Sequence, residues 1–263
     1  MVINCLQYKV ISGNIEDNLI LFYNSIKTCS KKKANIIILP EMWYTGFDYE
    51  NLLDLSRNTG YICEKISAIL QADMIVFSSL PEKEGGKVYN TVFILSNKGI
   101  VSKYRKNMLF AVTGEDKFFS RSHGVISLDF MGAKLSPFLC YEIRFPEIIR
   151  LAAYMYAEVI IVPAIWPATK KDHWLTLLKA RAIENQCFVV GCNASEITTS
   201  KKTIKCGYSS VFDPWGNNLG LLDNQPSILE CNINPLRSKE IRKSMPCIEE
   251  AINTFDIEIN YNN

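Results

Sequence analysis

"ANIIILPE", residues 34 to 41, is the stretch on which the reading of the fold turns. Four apolar residues, Ile36 to Leu39, run without a polar interruption until Pro40 stops them. A strand with one wet face would alternate apolar and polar side chains, so an unbroken isoleucine-rich run describes a strand buried on both faces. Such a strand needs a covering layer on each side. Working outward, "DMIVFSSLP" (73–81), "EVIIVPAI" (158–165) and "CFVVGCNA" (187–194) have the same character.

Between these runs lie helical patterns. Ile15 to about Lys32 is amphipathic, a shorter helix falls near Ile62–Gln71, and "HWLTLLKARAIENQ" (173–186) makes another. A helix opening at Pro146 places the proline at a first-turn position, where its missing N–H costs nothing. "INCLQYKV" (3–10) reads as a strand, and "VYNTVFILSNKGIVSKYRK" (88–106) as a hairpin turning at Asn97-Lys98-Gly99. Strands are also expected at "GVISLDF" (124–130), "AKLSPFLC" (133–140), "GYSSVFDP" (207–214) and "SILECNIN" (227–234). Alternating helices and strands of this kind describe a layered α/β protein with mixed sheets. No Pro/Gly/Ser linker, repeat or low-complexity tract divides the chain, so one domain over 1–263 is expected, with a tail from about 247.

The composition excludes several function classes. The 263 residues are 48% hydrophobic and 21% charged, with a net charge of +2, ordinary values for a globular protein with a substantial core. The basic clusters Lys31-Lys32-Lys33 and "SKKTIK" (200–205) are short and lack interleaved aromatics, so a nucleic-acid partner is not expected. No apolar run approaches the roughly 18 residues of a membrane span, and the N-terminus reads as a strand instead of a signal peptide. Nine cysteines at irregular spacings, an odd number with no C-x-x-C pair, point to reduced thiols and a cytoplasmic location. No metal-ligand cluster, G-x-G-x-x-G or phosphate-binding loop occurs, so neither a metal nor a nucleotide cofactor is expected.

In open α/β sheets, sites gather beyond the carboxyl ends of strands. Glu41 stands there after "IIILP", Lys106 after "SKYR" and Cys140 after "SPFL", with Glu115 in the loop "AVTGEDKFF". Each has a plain alternative: a polar strand exit, an exposed hairpin lysine, a buried thiol. Together they make chemical sense. A buried carboxylate can replace imidazole as the base for a thiol. A lysine flanked by carboxylates stays charged and suits an oxyanion better than a proton. The Tyr141 N–H, next after the cysteine, is a second candidate donor.

"LPEMWYTGF", "YRKNMLF", "CYEIRFPE", "HWLTLLKARAIENQ" and "GYSSVFDPWGN" resemble, in order and spacing, the motif series of the nitrilase superfamily of carbon–nitrogen hydrolases. The similarity runs from the first strand to about Pro246. The resemblance implies a four-layer α-β-β-α sandwich with two mixed sheets and a Glu-Lys-Cys triad falling on Glu41, Lys106 and Cys140. Glu115 matches the further glutamate that holds the lysine and substrate. A homodimer or larger homo-oligomer is also implied. "PEMWYTGF" and "WPATKKDHW" with the following helix and "GCN" look most similar to the omega-amidase branch, which hydrolyses terminal amides of α-keto acids such as 2-oxoglutaramate. Other small amides, N-carbamoyl compounds, or a non-catalytic scaffold role are the alternatives.

Met108 departs from the family pattern, and Ile165 and the Lys170-Lys171 pair from that of the omega-amidase branch. Met108 stands where the family has histidine, two places after the lysine. Ile165 stands where the omega-amidase branch typically has asparagine before Trp-Pro, and Lys170 and Lys171 stand near that branch's usual arginine, whose bidentate grip on a carboxylate lysine cannot reproduce. Among the remaining polar residues, Glu142 and Arg144 are expected to pair or to ease the turn into the helix. Trp166 reads equally as a pocket wall or as core, and His173 as a capping or packing residue at a helix start. Arg181 and Glu184 are expected to form a buried ion pair tying the helix to the sheet. A Cys–His hydrolase using Cys140 with His173 or His123 is the enzymatic rival.

Overall fold

Isoleucines 36, 37 and 38 are all 0% exposed, and they divide between two cores. In the computed structural model, which describes residues 1–255 and 257, these three residues form the middle of a six-stranded sheet. Its strands are β1 (Val2–Gln7), β3 (Ile36–Ile38), β4 (Ile75–Glu84), β5 (Lys87–Ser96), β6 (Gly99–Arg105) and β15 (Ser227–Asn232), in the order β15-β1-β3-β4-β5-β6. Strands β1, β3 and β4 are parallel, while the flanking pairs are antiparallel.

A second six-stranded sheet repeats this plan. It contains β7 (Leu128–Phe130), β8 (Ala133–Pro137), β9 (Val159–Ala164), β10 (Phe188–Asn193), β13 (Ser210–Phe212) and β14 (Asn218–Leu221), ordered β14-β13-β10-β9-β8-β7. Here β8, β9 and β10 are parallel and the outer strands antiparallel. Both sheets are therefore mixed, as the sequence implies.

Ile36 and Ile38, with Ile3, Cys5, Ile75 and Phe77, pack in one cluster with Val159, Ile161 and Val190 of the opposite sheet. Ile37 and Leu39 point the other way, into a cluster with Phe22 and Ile26 of α1 (Ile15–Lys31) and Ile62 and Ile66 of α3 (Thr59–Ser67); α2 (Leu52–Leu55) is a single turn before α3. On the outer face of the second sheet lie α4 (Pro146–Tyr154) and α5 (Lys171–Asn185), contributing Ile149, Ala152, Trp174 and Leu178 to the core. The layers are helix, sheet, sheet, helix. Helix α5 approaches closely because β10 carries Gly191: a Cβ there would meet Trp174 and Leu178 at 2.6 Å.

Some elements differ from the reading of the sequence. Only Leu128–Phe130 of "GVISLDF" pairs in a ladder. A third, three-stranded sheet joins β2 (Val10–Ile11) to the hairpin β11 (Glu196–Thr198) and β12 (Thr203–Lys205), strands too short to show a period in sequence. Helices α6 (Leu236–Ser244) and α7 (Cys247–Thr254) close the described chain, so the stretch read as a tail begins with a helix; 256 and 258–263 lie outside the described residues. Among the described residues no helix is long and apolar enough to cross a membrane.

Candidate active site

The three strand-end residues converge. Glu41 lies three residues beyond β3, Lys106 is the first residue after β6, and Cys140 lies three residues beyond β8. The first two come from one sheet and the third from the other, so the site sits between the sheets at their rim. All three are buried, as is Glu115 on a one-turn 3-10 helix between β6 and β7.

Lys106 is the hub. Its Nζ donates to Glu41 Oε1 at 2.8 Å and to both oxygens of Glu115, at 2.8 and 2.9 Å. Burial works against its charge, but the Glu41 and Glu115 carboxylates outweigh that and hold the ammonium well above the ordinary lysine range. A lysine so placed cannot serve as a base near neutrality; it is a fixed positive charge. Asn90 on β5 braces the pair, donating to Glu41 Oε1 at 2.8 Å and to Glu115 Oε1 at 3.3 Å, and its own amide oxygen accepts from Ser79 Oγ at 2.9 Å. The Phe110 N–H gives Glu115 Oε2 a further bond at 2.7 Å.

Cys140 has φ +42°, in the left-handed region that non-glycine residues seldom occupy, on an elbow between β8 and the 3-10 turn Cys140–Arg144. Held strain at such a place marks functional sites. Its Sγ lies 3.7 Å from the Ile165 carbonyl oxygen. Burial first, and then the Glu41 carboxylate beside it, push the thiol well above the ordinary cysteine range, against the opposing pull of Lys106. The resting sulfur is therefore a thiol, and a nucleophile forms only if a neighbour accepts its proton. Tyr141 follows in the first turn, where a helical N–H has no intrahelical partner.

These groups line a cavity of about 140 Å³ whose other walls include Phe47, Tyr49, Phe110, Ile165, Ile197 and Ile204. A smaller lobe of about 70 Å³ shares Cys140, Tyr141 and Ile165 and adds Arg144, Trp166 and Lys170. Trp166 is thus a wall: its ring lies under the Arg144 guanidinium at 4.5 Å, and its indole N–H donates to the Lys170 carbonyl at 2.9 Å. Asn193, at the end of β10, accepts from the Trp166 N–H at 2.8 Å and so fixes the loop instead of facing the cavity. Lys171 turns away, over the Tyr208 ring.

Several expectations need correction. Arg144 does not pair with Glu142; it stacks on Trp166 and lies 3.4 Å from His173 Nδ1. Glu142 instead accepts hydrogen bonds from backbone N–H groups and Tyr104. Arg181 does pair with Glu184 at 2.8 Å, but its Nε ties α5 to the Ile143 carbonyl of the cysteine turn and not to a sheet. Neither His123 nor His173 lines the cavity. Sequence reasoning missed Asn90, Tyr49 and the isoleucines of the β11–β12 hairpin. For Asn90 a signal existed: it is the polar interruption in "VYNTVFIL", and an amide facing into a buried strand needs partners.

The carbon–nitrogen hydrolase family model matches residues 3–243. The 2-oxoglutaramate amidase of Bacillus subtilis is 36% identical over 254 residues, covering 94% of this chain and 96% of that protein. An omega-amidase of Mus musculus is 28% identical, covering 91% of each. Among solved structures, the carbon–nitrogen hydrolase of Helicobacter pylori G27 superposes with a TM-score of 0.87 at 21% identity over 97% of this chain and 96% of its own. A CN-hydrolase superfamily protein from Xanthomonas campestris, with an arsenic adduct in its active site, gives 0.86 at 22% identity, covering 95% and 96%. These two likenesses concern the fold.

Proposed function

The chain belongs to the carbon–nitrogen hydrolase family, and from that premise we propose that it is an amidase releasing ammonia from the terminal amide of a small α-keto acid such as 2-oxoglutaramate. The observation that carries the reading is the Lys106 Nζ held between two buried carboxylates beside a buried Cys140 with a left-handed backbone. Glu41 takes the thiol proton as Sγ attacks the amide carbon. Lys106 and the Tyr141 N–H hold the resulting oxyanion, and Glu41 returns the proton to the departing nitrogen, which leaves as ammonia. A water that gives its proton to Glu41 then attacks the thioester carbonyl, and the acid leaves as Cys140 regains its hydrogen. Glu115 keeps Lys106 charged and aimed.

The substrate end of the reading has separate support. The cavity lies below the roughly 300–1,000 Å³ of drug-sized sites, so the substrate is small. The side lobe offers two cationic side chains, Arg144 and Lys170, within reach of the thiol's surroundings, where the carboxylate of a keto acid fits. Ile165, facing both lobes, contributes apolar wall. The reaction is carried by one domain over 1–263, supported by a single core cluster joining both sheets. A cytoplasmic location is supported by nine free thiols, and a homodimer by the family resemblance together with exposed Leu151, Ile183 and Trp215. The test is kcat/KM for ammonia release from 2-oxoglutaramate, 2-oxosuccinamate, glutamine and an N-carbamoyl amino acid. A preference of at least tenfold for a keto-acid amide over glutamine is expected; turnover confined to the N-carbamoyl compound overturns the substrate class.

A further inference from the structure

One fully buried carboxylate takes no part in the chemistry above. Glu142 sits two residues after Cys140, and its Oε2 accepts from the N–H of Leu139, the residue before the nucleophile, at 2.7 Å. Its Oε1 accepts from the N–H of Asn107, the residue after Lys106, at 2.7 Å, and from the Met108 N–H at 3.2 Å. The Tyr104 hydroxyl, on β6 just ahead of Lys106, lies 2.8 and 2.9 Å from the two oxygens. One side chain thus binds the segment carrying the lysine to the segment carrying the cysteine, although the two belong to different sheets.

All of these partners are donors. The Tyr104 oxygen already accepts from Asn107 Nδ2 at 3.2 Å, so its hydrogen is free to point at the carboxylate. A proton on Glu142 would displace one of these bonds. Tyr104 and Lys106 are the titratable groups facing it from β6 and its exit; Arg181 of α5 stops at the neighbouring Ile143 carbonyl, and the segment beyond β8 presents the Leu139 N–H.

We propose that Glu142 is a positioning residue: its carboxylate holds the Lys106 ammonium and the Cys140 thiol in reacting register, and its protonation loosens both. The inference rests on the reading that Lys106 and Cys140 carry the hydrolysis. Burial raises the carboxyl to about 7 despite the Leu139 and Asn107 N–H groups, Lys106 and Tyr104, so the change falls in an accessible range.

The test compares Glu142→Gln, Tyr104→Phe and Cys140→Ala with the wild type, measuring ammonia release against pH and thermal unfolding. Misplacing a reacting group by about 1 Å costs on the order of 100-fold. Folded Glu142→Gln should therefore lose about 100-fold in kcat with KM changed less than about threefold, and should lose the acid limb near pH 7. Tyr104→Phe removes one donor to the ionised form, so its acid limb should move up by about one pH unit. A folded Glu142→Gln with wild-type kcat overturns the proposal, as does an unmoved limb in Tyr104→Phe; the second decides alone if the first variant does not fold. Ammonia release surviving in Cys140→Ala would instead refute the underlying reading, whatever the other variants do.

Discussion

Replacing Lys106 by methionine keeps most of the side-chain volume and removes the charge that Glu41 and Glu115 share. Both carboxylates are nearly inaccessible, as is the lysine, whose side chain is 3% exposed. Deleting one partner of a buried ionic cluster strands the others and costs about 3–5 kcal/mol. For this 263-residue chain, an unfolding entropy of about 2.1 cal/mol/K per residue makes each kcal/mol worth about 2 °C in Tm, so a fall of about 6 to 10 °C is expected. Catalysis should fall independently, by on the order of 100- to 1,000-fold, because the oxyanion loses a preorganised positive donor. Calorimetry and ammonia release on the same preparation separate the effects. The double variant Lys106→Met/Glu115→Gln removes one stranded charge and should recover part of the lost Tm while remaining inactive. A single variant as stable as wild type, or one retaining more than a tenth of its activity when folded, would refute the electrostatic account of the cluster.

Further expectations concern the cysteine, the substrate lobe and the first sheet. Because Glu41 is the carboxylate beside the Cys140 thiol and the base assigned to its proton, ammonia release should fall by at least tenfold in Glu41→Gln and be unchanged in His173→Ala; the opposite pattern would favour the Cys–His rival. Arg144→Ala or Lys170→Ala should raise KM for a keto-acid amide by about tenfold with a smaller change in kcat. An unchanged KM in both would remove the carboxylate from that lobe. On β4 of the first sheet, burial would raise the Glu82 carboxyl, but hydrogen bonds from Arg105, Lys103 and Thr91 outweigh it and hold it at about 2. Its contribution is full above the ordinary glutamate value of 4.5 and is lost as pH falls from there toward about 2. Acid unfolding followed by circular dichroism should therefore be less steep over that window in Glu82→Gln, and equal slopes would discount the network.

The buried strands were legible because an unbroken apolar run has few alternatives, and Ile36–Ile38 fulfils it with both faces covered. Glu41, Lys106 and Cys140 were legible as strand exits, since topology alone sends such positions to one rim. What escaped depends on contacts between distant segments. Asn90 reaches Glu41 across 49 positions and Glu142 reaches Tyr104 across 38, and a local pattern contains neither partner. Glu142 and Arg144 are neighbours in sequence, which suggested a pair; the turn sends one inward to backbone donors and the other out to Trp166. The hairpin that supplies Ile197 and Ile204 to the cavity has strands of three residues, below the length at which alternation can be read.

The most direct test of the central claim is ammonia release from 2-oxoglutaramate by wild type, Cys140→Ala and Glu41→Gln, side by side, with folding of each verified. Turnover by the wild type and none by either variant is the expected result. Release by folded Cys140→Ala at a rate near wild type would contradict the cysteine mechanism outright.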